Sequence, residues 1–371
     1  MKTLLPSAGA RLAAVSIATT GALLLAGCGA ANESGSSGGG AAPSAGSSAL
    51  KGTISGAGAS TQQAATQAWV AGFQDTNPDA TINYDPSGSG AGRTQFEGGG
   101  VDYAGSDAYI TGDEIKKAQA RCNGDYVEVP VYISPIAVIY NLPGVTDLQL
   151  SPSVLAKIFN GKITKWNDPA IAALNQGKNL PNTAISPVHR SDKSGTTANF
   201  TDYLAQAAAA DWTYKAGDTW PTQGGEAAQG TSGVVGAVKA GQGTIGYADA
   251  SQAKGLGIAK VQVGNSFVAP SAEGAAAVAA SSPRVSDGGQ YAYAFKIDRK
   301  TTDPSHYPVT LVSYFITCAK NTDAAKGALL KGYLNYVVSG TGQQAAAKSA
   351  GSAPLSDQLR STIMPAVNAI T

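Results

Sequence analysis

The chain has 371 residues and a formal net charge of +1, and only 14% of its residues are charged. A protein that binds a nucleic-acid backbone needs a clustered excess of lysine and arginine, and no such cluster occurs, so we exclude nucleic acid as a partner. The length exceeds that of a usual single hydrophobic core, which predicts two lobes.

Residues 1–27 have the pattern of an export signal. Lys2 and Arg11 supply positive charge, and residues 12–25 form an apolar run that is too short and too rich in small residues for a membrane span. The run ends in Leu-Ala-Gly-Cys, which resembles the lipobox of bacterial lipoproteins. We therefore expect cleavage before Cys28 and attachment of lipid, such as palmitate, to its thiol. The alternative is an ordinary signal peptide followed by a chance cysteine.

Residues 28–49 contain little besides glycine, serine, alanine and asparagine. A segment of this composition buries too little apolar surface to offset the entropy lost on ordering. We therefore predict a flexible tether here and expect the folded part of the chain to start at about residue 50.

Short β-rich runs alternate with helix-like stretches between residues 50 and 137. Residues 52–56 and 80–84 predict strands, and residues 60–75 and 94–98 predict the helices that follow them. Such alternation predicts βαβ units around a mostly parallel sheet. Ligand crevices in these sheets lie where loops leave the carboxyl ends of strands and enter helices, so binding residues are expected in the loops.

Two longer runs of strand-forming residues predict passages of the chain between lobes. They lie at residues 126–140 and 308–317. Two passages make one lobe discontinuous, so we predict a lobe one of residues 50–131 and 305–371 and a lobe two of residues 132–304.

Further helices are predicted from start signals and apolar spacing. Ser151 and Asp168 are each followed by a proline, which is typical of the first helical position. The predicted helices are residues 151–159, 168–174, 196–209, 272–280 and 323–338.

Two loops rich in glycine and serine stand between a strand and a helix. The first, residues 56–61, places Ser60 and Thr61 at a helix start, where small residues let the backbone approach a ligand. Unpaired N–H groups of a first helical turn, together with these hydroxyls, suit an anion. The alternative is a tight turn in which Ser60 only caps the helix. The second loop, residues 87–92, contains Ser89 and is a weak signal alone.

A third loop begins at Arg190 and opens a helix. Arg190 offers a planar fork of donors suited to a tetrahedral oxyanion, and Ser194, Gly195 and Thr196 add hydroxyl and backbone donors. Asp192 is close enough in sequence to hold the guanidinium in place. The alternative is a surface ion pair before a capped helix.

Residues 102–108 contain a short predicted strand that ends at the carboxylate residue Asp107. A carboxylate such as Asp107 repels a fully deprotonated anion. Monohydrogen phosphate, however, has one O–H that an ionised carboxylate can accept as a hydrogen bond, whereas sulfate has none. Sites built to hydrogen-bond a ligand group reject an analogue lacking it by roughly 10⁴–10⁵-fold. The alternative is that Asp107 caps a helix.

The ordered set of these loops resembles the phosphate-binding proteins of the bacterial high-affinity, phosphate-specific ABC transporter. Residues 161–168 resemble that family's G-x-I-x-x-W-x-D segment, and residues 243–247 resemble its late lobe-two strand. The resemblance implies an α/β, two-lobed periplasmic-binding-protein fold, in which each lobe is a mostly parallel sheet flanked by helices. The ligand then lies in the interlobe cleft.

The resemblance also implies a role and a set of contacts. The expected protein is a monomer that delivers inorganic phosphate, in its mono- or dihydrogen form, to a permease and its ATPase, and is lipid-anchored on the extracytoplasmic face of the cell membrane. The implied phosphate contacts are Ser60, Thr61, Ser89, Asp107, Arg190, Ser194, Gly195 and Thr196, with Asp192 orienting Arg190.

The chain departs from the family pattern at two places. Relatives commonly carry Thr-Phe where this chain has Ser60 and Thr61, so the hydroxyl and the backbone N–H are retained while the packing above the ligand changes. Lys193 stands where relatives commonly have glycine. It either adds positive potential at the mouth of the cleft or is simply solvated.

The remaining cysteines and histidines limit which disulfides and metal sites the chain can form. Cys122 and Cys318 form an even pair in an exported protein, which predicts a disulfide, with two free buried thiols as the alternative. With only His189 and His306 available, we expect no metal and no cofactor.

An enzyme is the main rival to a binding protein. The only G-x-S-x-G match, residues 35–39, lies in the tether, and no P-loop sequence occurs, so we predict no enzymatic activity and least favour a phosphate-ester hydrolase. A binding protein for sulfate or molybdate is the second rival, and a surface lipoprotein without a ligand is the third.

Overall fold

The computed structural model describes residues 49–371. The predicted signal peptide, Cys28 and nearly all of the predicted tether lie outside the described residues. None of the helices in the described part combines the length and the apolar composition needed to cross a membrane.

Thirteen strands are formed by the described residues. They are β1 (Gly52–Gly58), β2 (Ala80–Asp85), β3 (Tyr103–Ser106), β4 (Tyr126–Asn141), β5 (Gln149–Leu150), β6 (Ser186–Arg190), β7 (Glu226–Ala228), β8 (Thr244–Asp249), β9 (Gly257–Ile258), β10 (Lys260–Val263), β11 (Ser266–Val268), β12 (Tyr291–Ala292) and β13 (Thr310–Cys318).

Eleven α-helices accompany these strands within residues 49–371. They are α1 (Gln63–Gln74), α2 (Ser89–Glu97), α3 (Asp113–Cys122), α4 (Pro152–Phe159), α5 (Pro169–Leu174), α6 (Gly195–Ala207), α7 (Gly230–Ala240), α8 (Ala272–Ser281), α9 (Ala324–Val338), α10 (Gly340–Ala350) and α11 (Asp357–Asn368). Two 3₁₀ turns, Ser60–Gln62 and Ala250–Gln252, precede α1 and follow β8.

Ten strands form one mixed sheet in the order β2-β1-β3-β13-β4-β8-β6-β7, with β9 and β12 paired to β4. The pairs at both ends are parallel, as the sequence predicts: β1 with β2 and β3, and β6 with β7 and β8. The middle pairs, β3 with β13, β13 with β4 and β4 with β8, are antiparallel. The α/β class is thus confirmed, and the antiparallel middle is a feature that the sequence did not predict.

Strand β4 joins the two halves of the sheet. It pairs with β13 from Tyr126 to Pro135 and with β8 from Ile136 to Asn141. All of its residues except Asn141 are buried, as expected for a strand covered on both faces. The predicted passage at residues 126–140 coincides with this strand. The short strand β12, within residues 132–304, pairs with the first half of β4.

Helix starts agree well with the sequence pattern. Ser151 Oγ accepts a hydrogen bond from Val154 N, and Asp168 Oδ1 accepts one from Ala170 N, so both predicted caps are confirmed. Helix α2 begins at Ser89 rather than at residue 94. A Cβ at Gly92 would lie 2.4 Å from the Ala57 carbonyl oxygen. Gly92 therefore lies inside the helix, where it permits close packing against β1, and not in a turn before the helix.

Cys122, at the end of α3, and Cys318, at the end of β13, form a disulfide bond with their Cα atoms 5.1 Å apart. The predicted disulfide is thus present, and the alternative of two free buried thiols is wrong. The bond closes a loop of 196 residues. In the chain-entropy view, closing a loop of this length contributes roughly 5 kcal/mol to stability.

Candidate functional site

Four helix starts meet at one place between the two halves of the sheet. They are the turn Ser60–Gln62 before α1 and the first turns of α2, α6 and α7. Ser60 Oγ lies 2.9 Å from Thr231 Oγ1 of α7, and Gly90 N of α2 donates to Lys193 O before α6. Helix starts present unpaired N–H groups and the positive end of the helix dipole, so this convergence suits an anion.

Two glycines permit the close approach of the loops. Gly58 has φ +144°, and a Cβ there would lie 1.9 Å from the Gly105 carbonyl oxygen. Gly88 has φ +104°, and its Cβ would lie 2.3 Å from Asp192 Oδ2. Both positions therefore require glycine, because any side chain would strain the backbone and collide with its neighbour.

Asp107 lies at the centre of the site, directly after β3, and is 3% exposed. Its Oδ1 accepts hydrogen bonds from Thr61 Oγ1 at 2.7 Å and from Ser313 Oγ at 2.6 Å, and its Oδ2 accepts one from Thr196 Oγ1 at 3.1 Å. Its backbone N–H donates to Ser89 Oγ at 3.1 Å. Side chains from both halves of the sheet thus contact this carboxylate.

The surroundings of Asp107 act on its ionisation in opposite directions. Burial raises the pKa of the carboxyl and outweighs the hydrogen bonds from the three hydroxyls and the charge of Arg190, which lower it, so the pKa lies above its ordinary value. The next helix, α3, uses Gly112 as its N-cap, so the alternative in which Asp107 caps a helix is wrong. Asp107 is a buried acceptor supplied with several donors.

Arg190 ends β6 and is 3% exposed, so it is not the surface ion pair that the sequence left open. Its Nε donates to Asp192 Oδ1 at 2.7 Å, and its Nη2 donates to Asp192 Oδ2. Its Nη1 lies 3.5 Å from Thr196 Oγ1. Asp192 therefore holds one edge of the guanidinium, and the Nη1 edge is directed towards the start of α6.

Asp192 is itself held by the start of α7. Its Oδ1 accepts a hydrogen bond from Gly230 N at 3.0 Å. Burial raises the pKa of Asp192, but the hydrogen bonds and charge of Arg190, together with the Gly230 N–H, outweigh burial and leave the pKa below its usual value. Asp192 is therefore ionised at neutral pH and keeps Arg190 in its orientation.

The start of α6 packs directly against the loops of the other half of the sheet. Ser194 is its N-cap residue. A Cβ on Gly195 would lie 2.7 Å from both Asp107 Cβ and Ser89 Oγ, so only glycine permits this approach. Thr196 follows with its hydroxyl on the Asp107 carboxylate. The structure thus places close together all eight residues that the resemblance implies as phosphate contacts.

The start of α7 belongs to the same site and was missed from the sequence. Thr231 is 1% exposed, and its N–H donates to Ser60 Oγ at 3.0 Å. Residues 229–233, Gln-Gly-Thr-Ser-Gly, have the same composition as the loops that were recognised. The preceding strand, β7, has only three residues and lacks typical strand formers, so the strand-to-helix context was not visible.

Arg93 in α2 was missed as well. It is 5% exposed, and its three nitrogens donate to Glu114 Oε1, Ser106 Oγ and Asp218 Oδ2, each at 3.0 Å. The Asp218 carbonyl in turn accepts from Ser194 N at 2.8 Å. Arg93 therefore connects the end of β3 with the start of α6, and a lone arginine inside a helix carries no sequence signal for this role.

A cavity of about 520 Å³ opens beside Asp107. Arg93, Lys193 and Asn199 are among its lining residues. The Lys193 side chain is exposed, which favours the solvated reading of this departure from the family pattern.

The two histidines have other partners. His189 stacks on Trp220 with ring centroids 5.0 Å apart, and His306 Nδ1 lies 2.9 Å from Thr301 Oγ1. Across residues 49–371, no three histidine, cysteine, aspartate or glutamate side chains are grouped so that they could hold a metal ion.

Comparisons with known proteins agree with this geometry. Residues 43–341 match the PBP superfamily domain. The chain is 37% identical over 366 residues to phosphate-binding protein PstS 3 of Mycobacterium tuberculosis, covering 96% of this chain and 98% of that protein. PstS 2 of the same organism is 35% identical over 366 residues, covering 97% and 98%.

Among solved structures, the chain resembles a high-affinity periplasmic phosphate-binding protein, PfluDING, solved with bound phosphate. The TM-score is 0.71 at 24% identity, over 85% of this chain and 93% of the other. This likeness confirms the predicted periplasmic-binding-protein fold.

Proposed function

The chain belongs to the phosphate-binding PstS proteins of the PBP superfamily, and from this membership we propose that it binds inorganic phosphate outside the cytoplasm for delivery to an ABC importer. The observation that carries the proposal is the buried Asp107 carboxylate set among four helix starts and facing the paired Arg190. An anion site with a built-in acceptor suits an oxyanion that still carries a proton.

The proposed binding mode uses donors from all four helix starts. Arg190 supplies the fixed positive charge, and the hydroxyls and N–H groups satisfy the phosphate oxygens, each of which needs a partner once water is excluded. The proposed ligands are Ser60, Thr61, Ser89, Arg190, Ser194, Gly195 and Thr196 as donors and Asp107 as the acceptor of the phosphate proton. Thr61 and Thr196 contribute their backbone N–H groups, because their hydroxyls donate to Asp107. Asp192 orients Arg190 and is held by the Gly230 N–H, and Thr231 extends the set from α7.

Closure of two lobes around the ligand is part of the same proposal. Lobe one comprises residues 50–131 and 305–371, and lobe two residues 132–304. The hinge then lies in β4 four residues beyond the lobe boundary, where the pairing partner changes between Pro135 and Ile136. The protein acts as a monomer that docks on a permease driven by an ATPase.

A lipid anchor keeps the protein at the membrane on this proposal. Cys28, outside the described residues, is the lipidated residue, and the tether lets the folded part reach the permease. Labelling of the expressed protein with a palmitate analogue tests the anchor, since Cys28→Ser should abolish the label. Label retained in that variant would overturn the anchoring role of Cys28.

Titration calorimetry of the phosphate-free chain tests the binding function. We expect tight binding of phosphate and at least about 10⁴-fold weaker binding of sulfate, because sulfate leaves the Asp107 acceptor unpaired. Comparable affinities for the two anions would favour a general oxyanion-binding protein. Absence of phosphate binding would overturn the proposal.

Incubation with a phosphate ester, p-nitrophenyl phosphate, tests the enzymatic alternative. We expect no release of p-nitrophenol above the background rate. A rate of p-nitrophenol release that rises in proportion to the protein concentration would support the hydrolase alternative.

A further inference from the structure

Gln62 lies behind the Asp107 carboxylate, at the end of the turn that carries Ser60 and Thr61, and is 2% exposed. Its Nε2 donates to Ser313 Oγ at 2.6 Å and to the Tyr314 carbonyl oxygen at 3.2 Å. A carbonyl oxygen can only accept, so this second contact identifies which end of the amide carries the hydrogens. Gln62 is therefore a donor to Ser313.

The direction of this bond determines where the Ser313 proton points. A serine hydroxyl has one proton, and its oxygen is already accepting from Gln62, so the proton is left for Asp107 Oδ1 at 2.6 Å. Thr61 donates to the same oxygen at 2.7 Å. Oδ1 thus receives two hydroxyl donors, an arrangement that favours the ionised carboxylate over the protonated one.

We propose that Gln62, acting through the Ser313 hydroxyl, is a positioning residue that keeps Asp107 a hydrogen-bond acceptor and thereby sets the discrimination between phosphate and sulfate. This inference rests on the proposed phosphate-binding function. Neither residue needs to touch the ligand, because the effect passes through the carboxylate that does.

Other charged and titratable groups around Asp107 also affect its ionisation. We call the Gln62 amide and the Ser313 hydroxyl together the Gln62–Ser313 relay. Arg190 from β6 stabilises the ionised form, and burial opposes it. Asp249, at the end of β8, has its pKa raised to about 6 by burial, with a smaller contribution from the Asp107 charge. Tyr84 of β2 has its pKa raised by burial and then by Asp107. The Gln62–Ser313 relay adds a neutral donor, which stabilises the carboxylate without adding charge.

The test measures phosphate and sulfate affinities between pH 5 and 8.5 for the full chain and four variants. Ser313→Ala removes the relay, Gln62→Met keeps the side-chain length but removes the donor, and Ser313→Thr keeps the hydroxyl. Thr317→Val is the matched control, because Thr317 is a buried hydroxyl on the same strand that donates to Asp102 O and not to Asp107. Circular dichroism verifies that each variant is folded.

We expect Ser313→Ala to lower the phosphate-to-sulfate affinity ratio about 10- to 100-fold, the worth of a hydrogen bond to a charged group. The pH below which the ratio collapses should rise by roughly one to two units, since each tenfold change corresponds to about one unit. Gln62→Met should act in the same direction by about 3- to 10-fold. Ser313→Thr and Thr317→Val should retain the wild-type ratio and pH profile.

Each outcome bears on a distinct claim. Folded Ser313→Ala and Gln62→Met proteins with the wild-type ratio and pH profile would overturn the relay while leaving the binding function intact. A wild-type protein that binds no phosphate would overturn the binding function together with the relay, and one that binds sulfate equally well would overturn the relay by removing the discrimination it is proposed to set.

Discussion

Two buried carboxyl groups on opposite sides of β13 have contrasting surroundings. Asp107, after β3, accepts hydrogen bonds from three hydroxyls and lies near a buried arginine. Glu128, on β4, is fully buried, and its Oε1 accepts only from Ile110 N, while its Oε2 has no partner among the described residues. Burial raises the pKa of Glu128 to about 8.

The contrast teaches that donors, rather than burial, decide whether a buried carboxyl group serves as an acceptor. Desolvation raises the pKa at both positions, and the three hydroxyls and Arg190 offset part of this rise at Asp107, whereas Glu128 accepts only from the Ile110 N–H. Glu128 is therefore mainly neutral at pH 7 and cannot act on an anion. Variants that remove a donor, a charge or a carboxyl group test this contrast.

The largest effect is expected from Arg190→Ala. The change removes the fixed cation of the site and leaves the half-buried Asp192 carboxylate without its arginine partner, so phosphate affinity should fall by about 10³-fold or more. Calorimetry measures the loss. Arg284→Ala is the control, since this guanidinium lies over the Tyr293 ring, 3.8 Å from its centroid, and should leave the affinity unchanged. Wild-type affinity in a folded Arg190→Ala protein would contradict the account.

Glu128→Gln should affect stability and leave binding unchanged. At pH values below about 4.3 both the folded and the unfolded state hold the Glu128 proton; above that, only the folded state retains it, until its own pKa of about 8 is passed. Wild-type stability therefore falls across this range relative to the variant. We expect the variant to be more stable at pH 8 by about 4–5 kcal/mol and equally stable near pH 4.

Urea unfolding at a series of pH values checks this prediction, with phosphate calorimetry in parallel. A pH-independent stability difference between the two proteins would show that Glu128 is not held neutral. A loss of phosphate affinity would place Glu128 in the binding machinery and remove the contrast with Asp107.

Lys193→Gly should have the smallest effect. The side chain is exposed at the cavity beside Asp107, where solvent and salt screen its charge, so phosphate affinity should change less than about threefold at physiological ionic strength. Affinities measured by calorimetry at low and physiological salt test this expectation. A larger loss that persists at high salt would instead assign Lys193 a direct role in attracting the anion.

The sequence predicted the loops of the site well because their chemistry is local. Ser194 caps α6, and Gly195 and Thr196 follow it, so the third loop carried its own start signal. Ser60 and Ser89 were recognisable for the same reason. The parallel strands at one end of the sheet run with β4 and those at the other end run against it, so the loops after both groups meet near the middle of β4.

The remaining contacts depend on tertiary packing that no local pattern records. Ser313 lies within the buried strand β13. Nothing in the sequence around it indicates that its hydroxyl donates to Asp107. Gln62 acquires a role only through Ser313. Helix α2 was predicted to start too late because glycines favour turns, whereas here Gly92 is required by the backbone of β1.

The central claim is that Asp107 requires its ligand to carry a proton. Asp107→Asn keeps the size of the side chain and replaces the charged acceptor with an amide that can also donate. Calorimetry with phosphate and sulfate at pH 7.5 should give a phosphate-to-sulfate affinity ratio at least about 10²-fold below that of the wild type, with tighter sulfate binding in absolute terms. A folded Asp107→Asn protein that still rejects sulfate as strongly as the wild type would contradict the claim.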